Sequence, residues 1–194
     1  MPKFNTKTIV KACIFSFFAV LLTANVYATT LLPVSSKQLS SESELIFEGR
    51  VVDSVVKRSA DHGVPFTYVQ FEVLDVITGS YAAGHITLGF AGGTLDGMTY
   101  RIDGIYTPQI NERGVYFVET LSRELLHPLT GWHQGHYVVI QNKSSVEQVL
   151  NIEQFLRLNS PKSGAVANDA SSLIDNAPSL SDFRSNVKRE ATQQ

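Results

Sequence analysis

A period-two alternation of side chains in residues 66–79 constrains this chain more than any other feature. In this run, FTYVQFEVLDVITG, the odd-numbered positions from 67 to 77 are the more consistently apolar set. Strand side chains alternate between the two faces of a sheet, so the pattern predicts a β-strand whose odd-numbered face is buried. The preceding run ELIFEGRVVDSVVKR (44–58) is rich in β-branched residues, which predicts a long antiparallel hairpin. Gly49 predicts a bulge or bend in its first strand.

Four more segments have strand patterns and are separated by turn residues: 85–91, 98–103, 115–121 and 136–142. In residues 145–158 the period changes, with apolar side chains mostly three and four positions apart, which predicts a helix with one buried face. We therefore expect a mainly β protein. About six strands with one packed C-terminal helix are typical of a small antiparallel β-barrel, either OB-like or netrin/TIMP-like. A β-sandwich is the alternative.

The rest of the chain is organised around this domain, which we predict to span residues 29–158 and to begin with a short helix at 34–43. Residues 159–178 are rich in Ser, Ala and Asn, a composition typical of a flexible linker. Residues 179–194 form either a short terminal helix or a disordered tail. In the helical interpretation three apolar residues share one side, namely Leu180, Phe183 and Val187.

The N-terminal segment has the pattern of an export signal. Three lysines precede an apolar run over 12–22, and small Ala28 follows at the position that a signal peptidase requires. The apolar run is about half of the roughly 20 residues that a membrane-spanning helix needs. We therefore predict a cleaved signal peptide over 1–28, a periplasmic or secreted protein, and no membrane attachment after cleavage.

Cleavage would change the chemistry that the chain can perform. Residues 1–28 contain the only cysteine, Cys13, and three of the 16 basic residues but none of the 18 acidic ones. The formal charge would therefore change from −2 to −5. A cysteine-free mature chain excludes disulfides, thiol nucleophiles and cysteine-ligated metals. An acidic chain without a basic cluster also argues against nucleic acid as a partner.

Candidate chemistry is concentrated in the segment HPLTGWHQGH (127–136). His133 and His136 could ligate a metal ion together with Glu124 or Glu119, whereas in the alternative the histidines are solvated loop residues. The glycines of 89–97 fit a turn better than a phosphate loop, because neither a helix pattern nor a lysine follows. The motifs of serine hydrolases and zinc proteases are absent from the sequence. We therefore predict no catalytic residue and no cofactor.

The aromatic residues near this segment suggest a second kind of site. The only tryptophan, Trp132, lies beside His133 and close to His136 and Tyr137. Such a group predicts a ligand or partner surface, although aromatic residues at these positions also serve as packing at the rim of a domain.

Five runs of the sequence, in this order, resemble an uncharacterised domain of exported bacterial proteins: ELIFEGRVVDSV, FTYVQFEVLDVITGS, ITLGFAGGTLDG, NERGVYFVE and GWHQGHYVV. The resemblance spans roughly residues 44–140 and consists of turn glycines and core aromatic residues. The chain departs from the family pattern at Ile77-Thr78-Gly79 and at Arg113-Gly114. The resemblance implies a single small β-barrel domain and assigns no biochemical activity.

Three functional hypotheses follow. The leading one is an exported, non-enzymatic module that binds a protein or a surface partner, because fold signals are complete and no catalytic motif accompanies them. The first alternative is a metal-dependent or hydrolytic enzyme that uses the 127–136 loop. The second is an inhibitor-like partner of a co-exported protease, by analogy with TIMP-like barrels.

Overall fold

The computed structural model describes residues 33–159 and 172–192, all of them within one compact unit, Pro33–Gln194. The predicted signal peptide and residues 160–171 of the predicted linker lie outside the described residues. The elements are α1 (Ser36–Glu42), β1 (Leu45–Arg58), β2 (Pro65–Thr78), β3 (His85–Ala91), β4 (Gly93–Leu95), β5 (Met98–Tyr100), β6 (Arg113–Val118), a 3₁₀ turn (Trp132–Gly135), β7 (His136–Gln141), β8 (Glu147–Asn151), α2 (Ile152–Asn159) and α3 (Leu180–Thr192).

The protein is mainly β, as predicted. Six strands form one antiparallel sheet in the order β3-β2-β1-β6-β7-β8, and β4 and β5 form a separate two-stranded ribbon. Among the described residues β3 and β8 are the two edges and do not pair, so hydrogen bonding does not close the sheet into a barrel. No helix in the described ranges is both long and apolar enough to cross a membrane.

The predicted hairpin of β1 and β2 is present, but three bulges interrupt its alternation. The pairing leaves one extra residue at Val52 in β1 and at Leu74 and Ile77 in β2. Each extra residue reverses which face the following side chains occupy. The prediction that all odd positions of 67–77 share one face is therefore wrong beyond Leu74. Val76 packs with the face that carries the odd positions up to 73, whereas Ile77 lies on the other face.

Both faces of the sheet are covered. One face carries the loop-side core, which Tyr81 and Ile105 of the connecting loops cover: Leu45, Phe47, Val51, Val69, Phe71, Ile86, Leu88, Phe90, Tyr116, Val118 and Leu129. The other face carries the helix-side core, which includes residues of α1 and α3: Leu39, Ile46, Ile77, Val115, Phe117, Val149, Leu180, Phe183 and Val187. The last three residues are the apolar stripe of the helical interpretation of 179–194; they lie on α3 and are buried.

The single helix predicted over 145–158 is wrong in its first half. Glu147–Asn151 is strand β8, which pairs with β7, and the helix α2 begins only at Ile152. Asn151 starts α2 by a capping box, in which its side chain accepts from the Gln154 N–H at 2.8 Å and its own N–H donates to the Gln154 side chain at 3.1 Å. The apolar spacing fits both a helix and a strand, and the open edge of β7 favours the strand.

Two smaller predictions also change. The strand predicted over 98–103 is limited to β5, because it pairs only with β4, a strand that the sequence presented as a glycine-rich turn. In the predicted linker, residues 172–175 are helical.

Candidate functional site

The 127–136 segment follows β6, contains the 3₁₀ turn and ends at His136, the first residue of β7. Its first histidine, His127, is 3% exposed and stacks on Trp132, with the ring centroids 5.7 Å apart and the planes 10° apart. Phe90 meets the His127 ring edge-on at 5.3 Å. Burial, followed by the charges of His136 and His133, lowers the pKa of His127 to about 3. His127 is therefore a neutral core residue at physiological pH.

The histidines predicted as metal ligands do not converge. His133 Nε2 lies 3.2 Å from Glu153 Oε1 on α2. His136 Nε2 lies 2.8 Å from a different carboxylate, Oε1 of Glu112. Within residues 33–159 and 172–192 no three His, Cys, Asp or Glu side chains are grouped so that they could hold a metal ion.

The two carboxylates proposed as the third ligand are occupied elsewhere. Glu124 accepts hydrogen bonds from the Ser59 hydroxyl and, at 2.7 Å, from the Tyr68 hydroxyl on the hairpin. Glu119 lies 4.0 Å from Arg123 on the surface. The predicted metal set of His133, His136 and Glu124 is therefore not assembled.

The four residues predicted as one ligand surface, Trp132, His133, His136 and Tyr137, do not form one surface: the first two lie in the 3₁₀ turn and the last two on β7. His136 and Tyr137 are neighbours on β7, so their side chains point to opposite faces. Tyr137 packs on Phe117 and Phe183 in the helix-side core, while His136 is buried beside Tyr116 in the loop-side core. Trp132 is half-buried against His127.

His136 belongs instead to a buried polar group that we call the Glu112 cluster, made of Tyr106, Glu112, Tyr116 and His136. The Tyr106 hydroxyl donates to Glu112 Oε2 at 2.6 Å, and His136 Nε2 lies 2.8 Å from Glu112 Oε1. The His136 ring centroid is 4.8 Å from that of Tyr116 and 5.5 Å from that of Tyr106. Tyr106 and His136 therefore meet at the Glu112 carboxylate, and the Tyr116 ring packs beside that of His136.

Strand pairing and one turn build this cluster. Tyr116 and His136 are direct partners in the β6–β7 ladder, so both side chains lie on the same face. Glu112 is held just before β6, where its carbonyl accepts the Val51 N–H at 2.9 Å and its N–H donates to the Gln109 carbonyl at 2.9 Å. The connection between β5 and β6 carries Tyr106 to the outer side of the carboxylate.

Several polar atoms of the cluster are buried without a hydrogen bond. They are Glu112 Oε1, Tyr116 Oη and His136 Nε2; the last lies close to Glu112 Oε1 but is not aligned as a donor to it. Burial, and then the Glu112 carboxylate, raises the pKa values of Tyr106 and Tyr116 above their usual range. Buried groups of this kind require an explanation, because most buried polar atoms in proteins have partners.

Sequence reasoning found only His136 of this cluster. Tyr106 and Glu112 lie in a segment whose pattern predicts only a connecting loop, and Tyr116 lies in a run that predicts an apolar strand. The sequence contains only a weak indication of Tyr106 and Glu112. Both lie in a long loop before a strand, and loops are where functional residues are often found.

A second feature is open to solvent. A recess of about 240 Å³ lies between the β4–β5 ribbon and residues 101–107, and we call it the hydroxyl recess. Its polar lining consists of Thr67, Thr94, Thr99, Tyr100, Arg101 and Thr107. Its floor contains the Gly92-Gly93 pair, with φ values of 122° and 134°. A Cβ at Gly93 would lie 2.7 Å from Val56 Cγ1, so the ribbon crosses the hairpin only with glycine there.

Neither a protein-family model nor a characterised protein nor a solved structure matches this chain. The family resemblance of residues 44–140 therefore stays a prediction.

Proposed function

We propose that this chain is an exported, non-enzymatic β-sheet module that binds a cell-surface partner through the hydroxyl recess. The observation that carries the proposal is the chemistry of the lining. Four threonines line the recess. The Thr67 hydroxyl donates to the Gly92 carbonyl at 2.8 Å and the Thr94 and Thr99 hydroxyls bond each other at 2.9 Å, but a hydroxyl oxygen in such a bond can still accept from a ligand. Among the described residues that line the recess, only Tyr100 and Arg101 are ionisable. General acid–base catalysis needs a positioned acid and base, and none of the described residues that line the recess is a carboxylate or a histidine.

The recess suits one polar end group of a larger ligand. Its volume is below the roughly 300–1,000 Å³ of pockets that enclose a whole small molecule. Hydroxyls, an exposed tyrosine ring and a guanidinium are the groups that hydrogen-bond to sugar hydroxyls and pack on a sugar face. We therefore favour a sugar unit of an envelope polysaccharide as the ligand.

Calorimetric titration of purified protein with defined envelope glycan fragments tests this proposal. We expect at least one fragment to bind, and Arg101→Ala and Thr99→Val to weaken its binding, because both side chains line the recess. Lys143→Ala, an exposed position that does not line the recess, is the matched control. Failure of every fragment to bind, or equal binding by the recess variants, would contradict the proposal. Cleavage of a fragment by the protein would favour the enzyme hypothesis instead.

Export is part of the same proposal and rests on residues 1–28. Mass spectrometry of the protein recovered from the periplasm or medium should give a chain that begins at Thr29. Ala28→Leu should block cleavage, because signal peptidase requires a small residue at that position. Recovery of an unprocessed chain that still carries Cys13 would contradict this part.

We also infer that the sheet curls toward a partly open barrel of the OB-like or netrin/TIMP-like kind. The three bulges in β1 and β2 support this, because bulges increase the local twist and bend of a strand. The loop-side core also supports it, because ten residues on one face of the sheet pack with Leu129 into a single cluster. An experimental structure with a flat sheet would contradict the inference.

A further inference from the structure

The Glu112 cluster combines four side chains that can ligate a metal ion. Tyr106 and Tyr116 offer phenol oxygens, Glu112 offers a carboxylate, and His136 offers an imidazole nitrogen. The side chain of Glu112 is 7% exposed and that of His136 is 1% exposed. Such a set differs from the metal-ligand set that the sequence suggested, His133, His136 and Glu124, since only His136 is common to both.

We propose that Tyr106, Glu112, Tyr116 and His136 form a binding site for a hard trivalent cation, with ferric iron as the candidate ion. This site is separate from the hydroxyl recess, and none of its four residues lines that recess. The proposal therefore stands or fails independently of the proposed function.

Two separations between candidate ligand atoms, both measured to Glu112, are compatible with coordination. Oxygen and nitrogen ligands bind metals of this size at about 2.0–2.2 Å, so neighbouring ligand atoms around one ion lie about 2.8–3.3 Å apart. The observed separations of 2.6 Å from Tyr106 to Glu112 and 2.8 Å from His136 to Glu112 are close to this range. An ion would also give partners to Glu112 Oε1, Tyr116 Oη and His136 Nε2, the three atoms that are buried without a hydrogen bond.

Charge balance selects the class of ion. Two phenolates and one carboxylate together supply three negative charges, and the imidazole is neutral as a ligand. A trivalent cation would make the buried site neutral, whereas a divalent cation would leave a net charge in the core. Oxygen donors favour hard ions, while imidazole suits iron as well as zinc and copper. Each phenol loses its proton when it binds, so loading releases two protons to solvent.

The cluster has one side near the surface. Tyr106 is half-buried, while Tyr116 and His136 are fully buried. Tyr106 therefore forms the outer wall of the site, and its hydroxyl is the ligand that can be removed with the least disturbance to packing.

Titration of the purified full-length chain with ferric nitrilotriacetate tests the proposal. We expect one equivalent of iron to bind and to produce a visible phenolate-to-iron charge-transfer band. Tyr106→Phe should weaken iron binding by more than about tenfold, since even the loss of an outer-shell partner costs that much. Tyr137→Phe is the matched control, because Tyr137 is next to His136 in sequence but packs in the helix-side core.

His136→Gln tests the nitrogen ligand, and circular dichroism checks that this variant is folded. If His136→Gln does not fold, Tyr106→Phe still tests the proposal. This variant should fold, because it removes only a hydroxyl from a half-buried ring. The proposal is overturned if no band appears, if Tyr106→Phe binds iron as tightly as the unaltered chain, or if zinc binds the cluster while ferric iron does not.

Discussion

Glu48 is fully buried in the middle of the sheet, between two arginines. Its Oε1 accepts from Arg113 Nε at 2.7 Å, and its Oε2 contacts Arg184 on α3. Each arginine also has a second carboxylate, Glu147 for Arg113 and Asp75 for Arg184. Glu48→Gln keeps the size of this side chain and removes its charge, so it tests how far the network stabilises the docking of α3.

The expected loss in the free energy of unfolding follows from the burial of the Glu48 carboxylate. Breaking a buried ion pair by removing one partner costs about 3–5 kcal/mol. The side chains of Arg113 and Arg184 are 25% and 32% exposed, and both keep a second acidic partner after the substitution. We therefore expect the lower end, about 3 kcal/mol. At about 2–4 °C per kcal/mol for a domain of this size, the melting temperature should fall by about 6–12 °C.

Thermal and urea unfolding at pH 7, followed by circular dichroism, give both quantities. The matched control is Glu147→Gln, because Glu147 belongs to the same network but its side chain is 36% exposed. An exposed ion pair contributes at most about 1 kcal/mol. If Glu48→Gln costs no more than Glu147→Gln, burial does not determine the strength of this network and the reasoning is refuted.

Three further substitutions test other parts of the structure. The pKa of His127 is 6.5 in an unfolded chain and about 3 when folded, so falling pH protonates the unfolded state first. The free energy of unfolding should therefore fall between pH 6.5 and pH 3, by up to about 1.4 kcal/mol per pH unit. His127→Phe, which keeps a ring against Trp132, should flatten that slope in urea unfolding between pH 4 and 6. Gly93→Ala should lower stability by about 1–3 kcal/mol, because φ is 134° and the new methyl group meets Val56. Phe183→Ala should cost about 3–5 kcal/mol in the same assay, because it leaves a cavity under α3.

Local patterns predicted the mainly β class and several individual elements. The bounds of β3 are those expected from HITLGFA, and α3 buries the three residues of its apolar stripe. The alternating pattern gave the wrong face for the residues after Leu74. The bulge at Leu74 depends on the register between β2 and β1, which the sequence pattern does not indicate. The segment 147–151 became a strand for the same reason, since β7 offers an edge with which it can pair.

The candidate site was much less predictable. His136 stood out because histidine is rare, but its partner Glu112 is 24 positions earlier and lies in a connection without a strand or helix pattern. Only the β6–β7 pairing and the turn before β6 bring these residues together. A single sequence identifies a candidate ligand by its type, whereas the remaining ligands are selected by tertiary structure.

Glu112, just before β6, and Arg113, its first residue, each belong to one of the two buried polar networks described above. Glu112 and Arg113 are consecutive, and their side chains go to opposite faces, Glu112 to Tyr106 and His136 and Arg113 to Glu48. Because the sheet separates the two networks, a change in one should leave the other intact, as effects at sites without shared partners usually add. Glu48→Gln should therefore lower the melting temperature without changing the affinity for ferric iron. If it also weakens iron binding, the backbone at 112–113 couples the two faces, and the cluster depends on the docking of α3.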